Sequence, residues 1–291
     1  MIANENIFLG VNVKIHFLKT KWSDIIILEH LGKFALVDTG FEEQFEQLSA
    51  YLQKLGAAEI EFILLTHFHR DHYGCIPKLV RNYKVKTVYL KEYSGLDSTT
   101  AWGTPADNAY RNEEMKKYTE MQRCVSKFSV LKQVEDTKNI EFAGILLQLF
   151  ATDNSMRYIY EDATYPETYH KICFVENQNS IGVFFKTGGK NVFLGGDLTD
   201  SEAPHPKANY VVRKIAESIG EQIDVYKVPH HGTVFTGCPE TLSIFRPKMA
   251  IITNEDAYLR QNSDVYENLK RANEQVEILL TENKDIVVNL E

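Results

Sequence analysis

Apolar residues along this chain come in short runs whose period changes between two and three-to-four. Val13-Lys-Ile-His-Phe-Leu18 alternates, Asp24-Ile-Ile-Ile-Leu-Glu29 is continuously apolar at its centre, and Phe34-Ala-Leu-Val-Asp-Thr-Gly40 stops at a glycine. All three predict strands. Phe41, Phe45, Leu48, Leu52 and Leu55 then repeat at spacings of four and three, which predicts one apolar helix face over 42–55. A buried strand, Glu61-Phe-Ile-Leu-Leu-Thr66, runs straight into a group of histidines. A short helix at 75–80, a strand at 85–90, a Gly/Ser/Thr/Pro-rich loop at 94–108 and a helix with Tyr118, Met121, Val125 and Phe128 on one side follow. The second half repeats this outline, with β runs at 139–150, 171–176, 180–186 and 191–197, a helix at 207–219 and a strand from Ile223 to Pro229. Strands at 249–253 and 286–289 flank a last helix at 264–274. Two β-rich halves carrying helices predict one α/β domain over 1–291, folded as a sandwich of two sheets, with an insertion around 94–133 and a variable loop around 152–170.

Composition narrows the class. The chain has 291 residues, 44% hydrophobic and 25% charged, near the average for a globular domain, which argues against disorder and disulfide scaffolds. Lys and Arg number 32 against 40 Asp and Glu, a net charge of −8. That sign disfavours nonspecific grip on nucleic acid. The four cysteines (Cys75, Cys124, Cys173, Cys238) are far apart and form no CxxC pair, as expected of buried thiols in a reducing compartment. The first residues show no basic-then-apolar signal, and no run approaches the ~20 apolar residues of a membrane span. The expectation is a cytoplasmic protein without membrane contact. Oligomeric state is not legible.

The candidate chemistry lies at strand ends. Thr66-His67-Phe68-His69-Arg70-Asp71-His72 is an HxHxDH cluster directly after an apolar strand. His67 and His69, two apart on extended chain, point the same way, and two neutral imidazoles suit a metal such as zinc. Asp71 and His72 follow where the chain turns, and can serve a second metal. Asp197 closes Val192-Phe-Leu-Gly-Gly-Asp, where it can bridge two ions, and the preceding glycines permit close backbone approach. His230 and His231 follow another apolar strand, and one of them can complete the second metal. Asp38 ends its own strand, either as a turn residue or as part of the site.

The ordered set Asp38-Thr-Gly, His67-x-His69-x-Asp71-His72, Gly196-Asp197 and His230-His231-Gly232 resembles the metallo-β-lactamase fold superfamily. Within it, the strands at 13–18 and 24–28, the segment Glu176-Asn-Gln-Asn-Ser180-Ile and Lys227-Val-Pro-His-His-Gly-Thr resemble the hydrolase domain of ComEC-type DNA-uptake proteins and its free-standing relatives; phosphorylcholine esterase domains are similar. The resemblance runs from about residue 12 to the C-terminus and is weakest over 94–170. It implies a four-layer αββα sandwich with two divalent metals at one edge, zinc first and manganese or iron as alternatives. It implies His67 and His69 on one metal, Asp71, His72 and His231 on the other, and Asp197 between them. His230 is then a supporting or proton-donating group, and Asp38 orients a ligand or the nucleophile. Asp71, His230 and Asp38 are thus the candidate catalytic side chains.

The chain departs from the superfamily pattern in two places. Lactamases and glyoxalase-type members carry a histidine about twenty residues before the bridging Asp, and 176–180 has none, as in ComEC-type members. Asn177, Asn179 or a substrate oxygen would fill that place on the first metal; His170, the nearest histidine, reads as a surface residue. Lys21-Trp22-Ser23 stands where ComEC-type proteins are glycine-rich. Two ions ~3.5–4 Å apart hold a water whose pKa falls near 7, so the implied reaction is hydrolysis by hydroxide. A phosphodiester or related small ester is the favoured substrate; a manganese- or zinc-dependent DNA nuclease, a lactonase or lactamase, and a non-catalytic metal-binding relative are the alternatives. Substrate contacts are expected from Asn179 and Ser180, from Trp102 in the 94–108 loop, and from Tyr165 in the tyrosine- and acid-rich 158–169 segment, which reads either as a cation-accepting loop or as an ordinary hairpin.

Overall fold

A computed structural model describes residues 13–94, 105–151, 175–199, 211–233 and 236–290. Its strands are β1 (Val13–Phe17), β2 (Ile25–His30), β3 (Lys33–Thr39), β4 (Glu59–Leu64), β5 (Lys84–Leu90), β6 (Val130–Gln133), β7 (Lys138–Phe142), β8 (Ile145–Ala151), β9 (Ile181–Thr187), β10 (Lys190–Leu194), β11 (Val225–Lys227), β12 (Met249–Ile252), β13 (Glu277–Leu280) and β14 (Ile286–Leu290). They form two seven-stranded sheets, β14-β1-β2-β3-β4-β5-β6 and β13-β12-β11-β10-β9-β8-β7. The first half of the chain builds one sheet and the second half the other, except that β14 crosses back to pair with β1.

The alternation of side chains explains why the sheets stack. On β3 and β4, Ala35, Val37, Phe62 and Leu64 face a core that also takes Val192 and Leu194 from β10, while Leu36 and Ile63 face the helices outside the first sheet. Phe193 on β10 turns outward, into a third cluster with helices Val211–Ile219 and Pro239–Phe245. Central strands are therefore apolar on both faces, as buried parallel strands are. The result is helix, sheet, sheet, helix, the αββα sandwich expected from the sequence.

Each sheet is antiparallel on one side and parallel on the other. β1 to β3 pair antiparallel, then β3, β4, β5 and β6 run parallel. In the second sheet β7 to β10 pair antiparallel, then β10 to β13 run parallel. The change of direction thus falls at β3/β4 and at β10/β11, and the C-terminal ends of these four strands emerge together. Parallel neighbours end at the same edge, so the loops after these strands open onto one border of each sheet.

Several boundaries differ from the sequence expectation. The predicted 42–55 helix begins as a 3₁₀ turn at Glu42–Gln44 before the α-helix Phe45–Leu55. Residues 139–150 split into β7 and β8 around Ala143 and Gly144, both at positive φ. Part of the predicted 171–176 strand is the helical turn Val175–Gln178 instead, because Glu176 there caps amides of two other loops, as described below. Phe128 was expected on the apolar face of helix Pro105–Phe128, but it ends that helix 45% exposed, while Tyr118, Met121 and Val125 are buried. Helices Pro239–Phe245 and Asp256–Asn262 and strand β13 lacked a readable period. No helix among the described residues is long and apolar enough to cross a membrane.

Phe193 is fully buried, its ring 5.1 Å from Phe245 and 6.1 Å from Tyr226 between centroids. Phe193→Ala is expected to cost ~3–5 kcal/mol of unfolding free energy, read from urea denaturation, without changing which residues line the sheet edge.

Candidate metal centre

Every strand end named above contributes. Asp38 closes β3 at φ 59°, a left-handed conformation that an Asp tolerates better than most residues. There its carboxylate accepts from the Thr66 amide at 2.8 Å and the Thr66 hydroxyl at 2.8 Å, and from His72 Nδ1 at 2.8 Å. Since the Thr66 proton goes to Asp38, Thr66 Oγ1 must accept from His67 Nδ1, 3.1 Å away. In their neutral forms His67 and His72 thereby carry their proton on Nδ1 and present a lone pair on Nε2. Asp38 thus orients His72 directly and His67 through Thr66.

The HxHxDH loop is held from outside by packing. Phe68 stacks on Tyr73 with centroids 4.0 Å apart and meets Tyr118 at 5.0 Å and Tyr93 at 5.2 Å. Arg70 donates to the buried Glu114 at 2.6 Å, so helix Pro105–Phe128 clamps the loop. Glu176, 1% exposed, accepts from the Phe68 amide at 2.8 Å and the Ser94 amide at 2.9 Å. Burial pushes its carboxyl above the usual range.

Across the crevice, Gly196 sits at φ +52°, where a Cβ would stand 2.9 Å from the Thr66 side chain. Glycine is required there both for the backbone angle and for the approach of Asp197 to the histidine loop. Ser180 Oγ accepts from the Asp197 amide at 3.1 Å. His230 and His231, at φ 47° and 53°, form a tight turn after β11.

Asp197 divides its oxygens. Oδ1 lies 3.3 Å from His72 Nε2 and 3.6 Å from His231 Nε2, and Oδ2 lies 3.7 Å from His67 Nε2. Asp71 Oδ2 is 3.1 Å from His231 Nε2 and 3.5 Å from His72 Nε2. Two candidate ligand groups result, Asp71/His72/Asp197/His231 and His67/His69/Asp197, sharing the one carboxylate. His67 Nε2 and His69 Nδ1 are 2.9 Å apart. Buried acceptors converging in this way need positive charge between them, and His72 Nε2 and Asp197 Oδ1 have no hydrogen-bond partner. Imidazole nitrogens plus carboxylate oxygens form a donor set suited to divalent ions, so the residues fit a dinuclear centre.

The charges respond accordingly. Burial opposes the imidazolium of His231, but the Asp197 and Asp24 carboxylates override it and lift His231 to about 9. His72 is likewise raised, burial being outweighed by Asp197, Asp38 and Asp71. Asp197 is held well below the usual carboxylate range, against its burial, by His72 and His231. His67 lies below its ordinary value, through burial and the neighbouring His72. Without an ion, protons on His72 and His231 supply the cationic charge.

Among the adjacent pair, His231 joins the ligand group and His230 does not. His230 Nδ1 is 2.8 Å from Thr233 Oγ1, and its Nε2 lies 3.0 Å from Asn177 Nδ2. Burial lowers its pKa to about 4. Asn179, 6% exposed, donates to the Glu92 carbonyl at 2.8 Å, and Ser180 is fully buried against Asp197. Both brace the site instead of facing solvent. Trp102, Tyr165 and His170 lie outside the described residues.

Sequence reasoning missed Asp24, Lys227, Thr253 and Glu176. Asp24 and Lys227, both with fully buried side chains, pair with one another beneath the ligands. A charged residue flanked by Ile25-Ile-Ile-Leu28 on β2, and a Lys inside Val225-Tyr-Lys-Val228 on β11, were the available signals.

A family model described as the metallo-beta-lactamase superfamily matches residues 23–238, and the chain belongs to that superfamily. Solved structures agree in fold. The metallo-beta-lactamase fold protein YhfI from Bacillus subtilis is 9% identical with a TM-score of 0.55, over 96% of this chain and 100% of its own. Igni18, described as a novel metallo hydrolase from the hyperthermophilic archaeon Ignicoccus hospitalis, is 14% identical with a TM-score of 0.54, over 96% of this chain and 99% of its own. A CmlA beta-hydroxylase variant reaches a TM-score of 0.54 at 12% identity, over 96% of this chain and 54% of its own.

Because folding raises the pKa of His231 to about 9, the metal-free chain is expected to lose thermal stability as pH climbs from ~6.5 through that value. The metal-loaded chain, in which the ion replaces the proton, should lack this step, and loading at pH 7 should release protons. Melting curves from pH 6 to 10 with and without chelator, and calorimetry in two buffers of different ionisation heat, check both.

Proposed function

We propose that this chain is a metal-dependent hydrolase acting on a phosphodiester or a related small ester. The observation that carries the reading is Asp197 turning one oxygen toward each of two imidazole-bearing groups, His67/His69 and His72/His231. Two divalent ions bound there supply Lewis acidity and an activated water at neutral pH; zinc suits the imidazole-rich set, with manganese and iron as alternatives.

The protein's own part is orientation and exclusion of water. Asp38 and Thr66 fix the protons of His72 and His67 on Nδ1, leaving Nε2 lone pairs directed at the Asp197 carboxylate. Asp71 closes the second group from the partly exposed side, its side chain 22% accessible. Phe68 and its aromatic neighbours keep water out from behind the loop. The first group holds two histidines and one carboxylate, and Asn177, 2% exposed with its Oδ1 lacking a hydrogen-bond partner, stands in the segment where lactamases place a third histidine. A first site with fewer nitrogen donors leaves coordination room for a phosphoryl oxygen, which favours phosphoesters over lactams. The net charge of −8 favours a small substrate over duplex DNA.

Asp197→Ala and His69→Ala are each expected to reduce hydrolysis of bis(p-nitrophenyl) phosphate by at least ~10³-fold while circular dichroism stays native. Turnover retained in both variants overturns the reading. A parallel screen with single-stranded DNA plus manganese, a lactone and a β-lactam identifies the alternatives.

A further inference from the structure

Lys227 and Asp24 form a buried ion pair behind the candidate ligands, with Asp24 Oδ1 3.3 Å from His231 Nδ1 and Asp24 Oδ2 4.0 Å from His72 Nδ1. Removing two charges from water is costly, so such a pair needs a reason beyond stability. Its contacts supply one. Asp24 Oδ2 meets Lys227 Nζ, and Asp24 Oδ1 accepts the Thr253 hydroxyl at 2.7 Å. With its proton spent on Asp24, Thr253 Oγ1 must accept from His231 Nδ1, 2.8 Å away. The Nε2 lone pair of His231 is then the one facing Asp71 and Asp197. Lys227 also donates to the Gly196 carbonyl at 3.2 Å, one residue before the shared carboxylate. The Asp24 amide donates to the Asp71 carbonyl at 3.1 Å. The ion pair therefore reaches His231 both directly and through Thr253, and Asp197 through Gly196, while the Asp24 main chain holds that of Asp71.

Asp24, Asp38 and His72 also offer atoms close enough to one another to hold a cation. The Lys227 ammonium already sits against this cluster, so it supplies the positive charge that a third ion would bring.

We propose that Asp24, Lys227 and Thr253 are positioning residues for the Asp71/His72/Asp197/His231 group, setting its metal affinity while leaving the His67/His69 group largely untouched. This rests on the dinuclear reading above. Wild-type protein should bind two cobalt ions in a chelator-competition titration; a wild type that binds none overturns that reading, and this inference with it. With two ions bound, Thr253→Val, which keeps the shape and removes the hydroxyl, should weaken one ion by ~10–100-fold and spare the other. Thr253→Ser should restore it. Lys227→Met strands a buried charge, and the double variant Asp24→Leu/Lys227→Met should regain thermal stability over Lys227→Met without regaining metal affinity. Unchanged affinity in Thr253→Val, equal loss of both ions, or recovery of affinity in the double variant overturns the inference.

Discussion

Negative charge buried with too few protons to balance it is the constraint around which this molecule is arranged. Asp71 and Asp197 converge on imidazole nitrogens whose own protons are committed elsewhere, to Asp38, Thr66 and Thr253. In a low-dielectric crevice such a cluster is unstable unless cations fill it. The metal-free chain draws protons onto His72 and His231 for that purpose. Divalent ions would meet the same demand with more positive charge, so affinity for metal and the cost of burying carboxylates are one quantity seen from two sides.

Topology makes that convergence possible. Parallel neighbours end at the same edge of a sheet, so β3 with β4, and β10 with β11, each deliver two consecutive sets of polar tips to one border. Stacking the sheets through a shared apolar core brings the two borders together. The glycine before Asp197 and the aromatic clamp on Phe68 then set the spacing to a few ångströms. Helix Pro105–Phe128, part of what reads as an insertion, acts here as a brace through Glu114 and Tyr118.

The candidate ligands were readable in the sequence because they are short-range features: histidines close together after an apolar run, or a single acid after Gly-Gly. The sandwich was readable because inward and outward residues alternate on its central strands. Lengths between strands hid the rest. The change from antiparallel to parallel pairing leaves no local mark, and helices such as Pro239–Phe245 are too short to show a period. Glu176 was invisible for a different reason, since its partners, the amides of Phe68 and Ser94, lie 108 and 82 residues away. Asp24 and Lys227 looked like ordinary charged residues because pairing across two sheets is a property of the fold.

The contact between Asp71 and His231 also has a mechanical consequence. His231 meets Asp71 across 160 residues of chain, with one sheet contributing Asp71 and the other His231. An ion held by both would cross-link the halves of the sandwich, closing a long loop much as a disulfide does. Withdrawing it unfastens a seam, so the two halves should unfold with less cooperativity in chelator than in its absence.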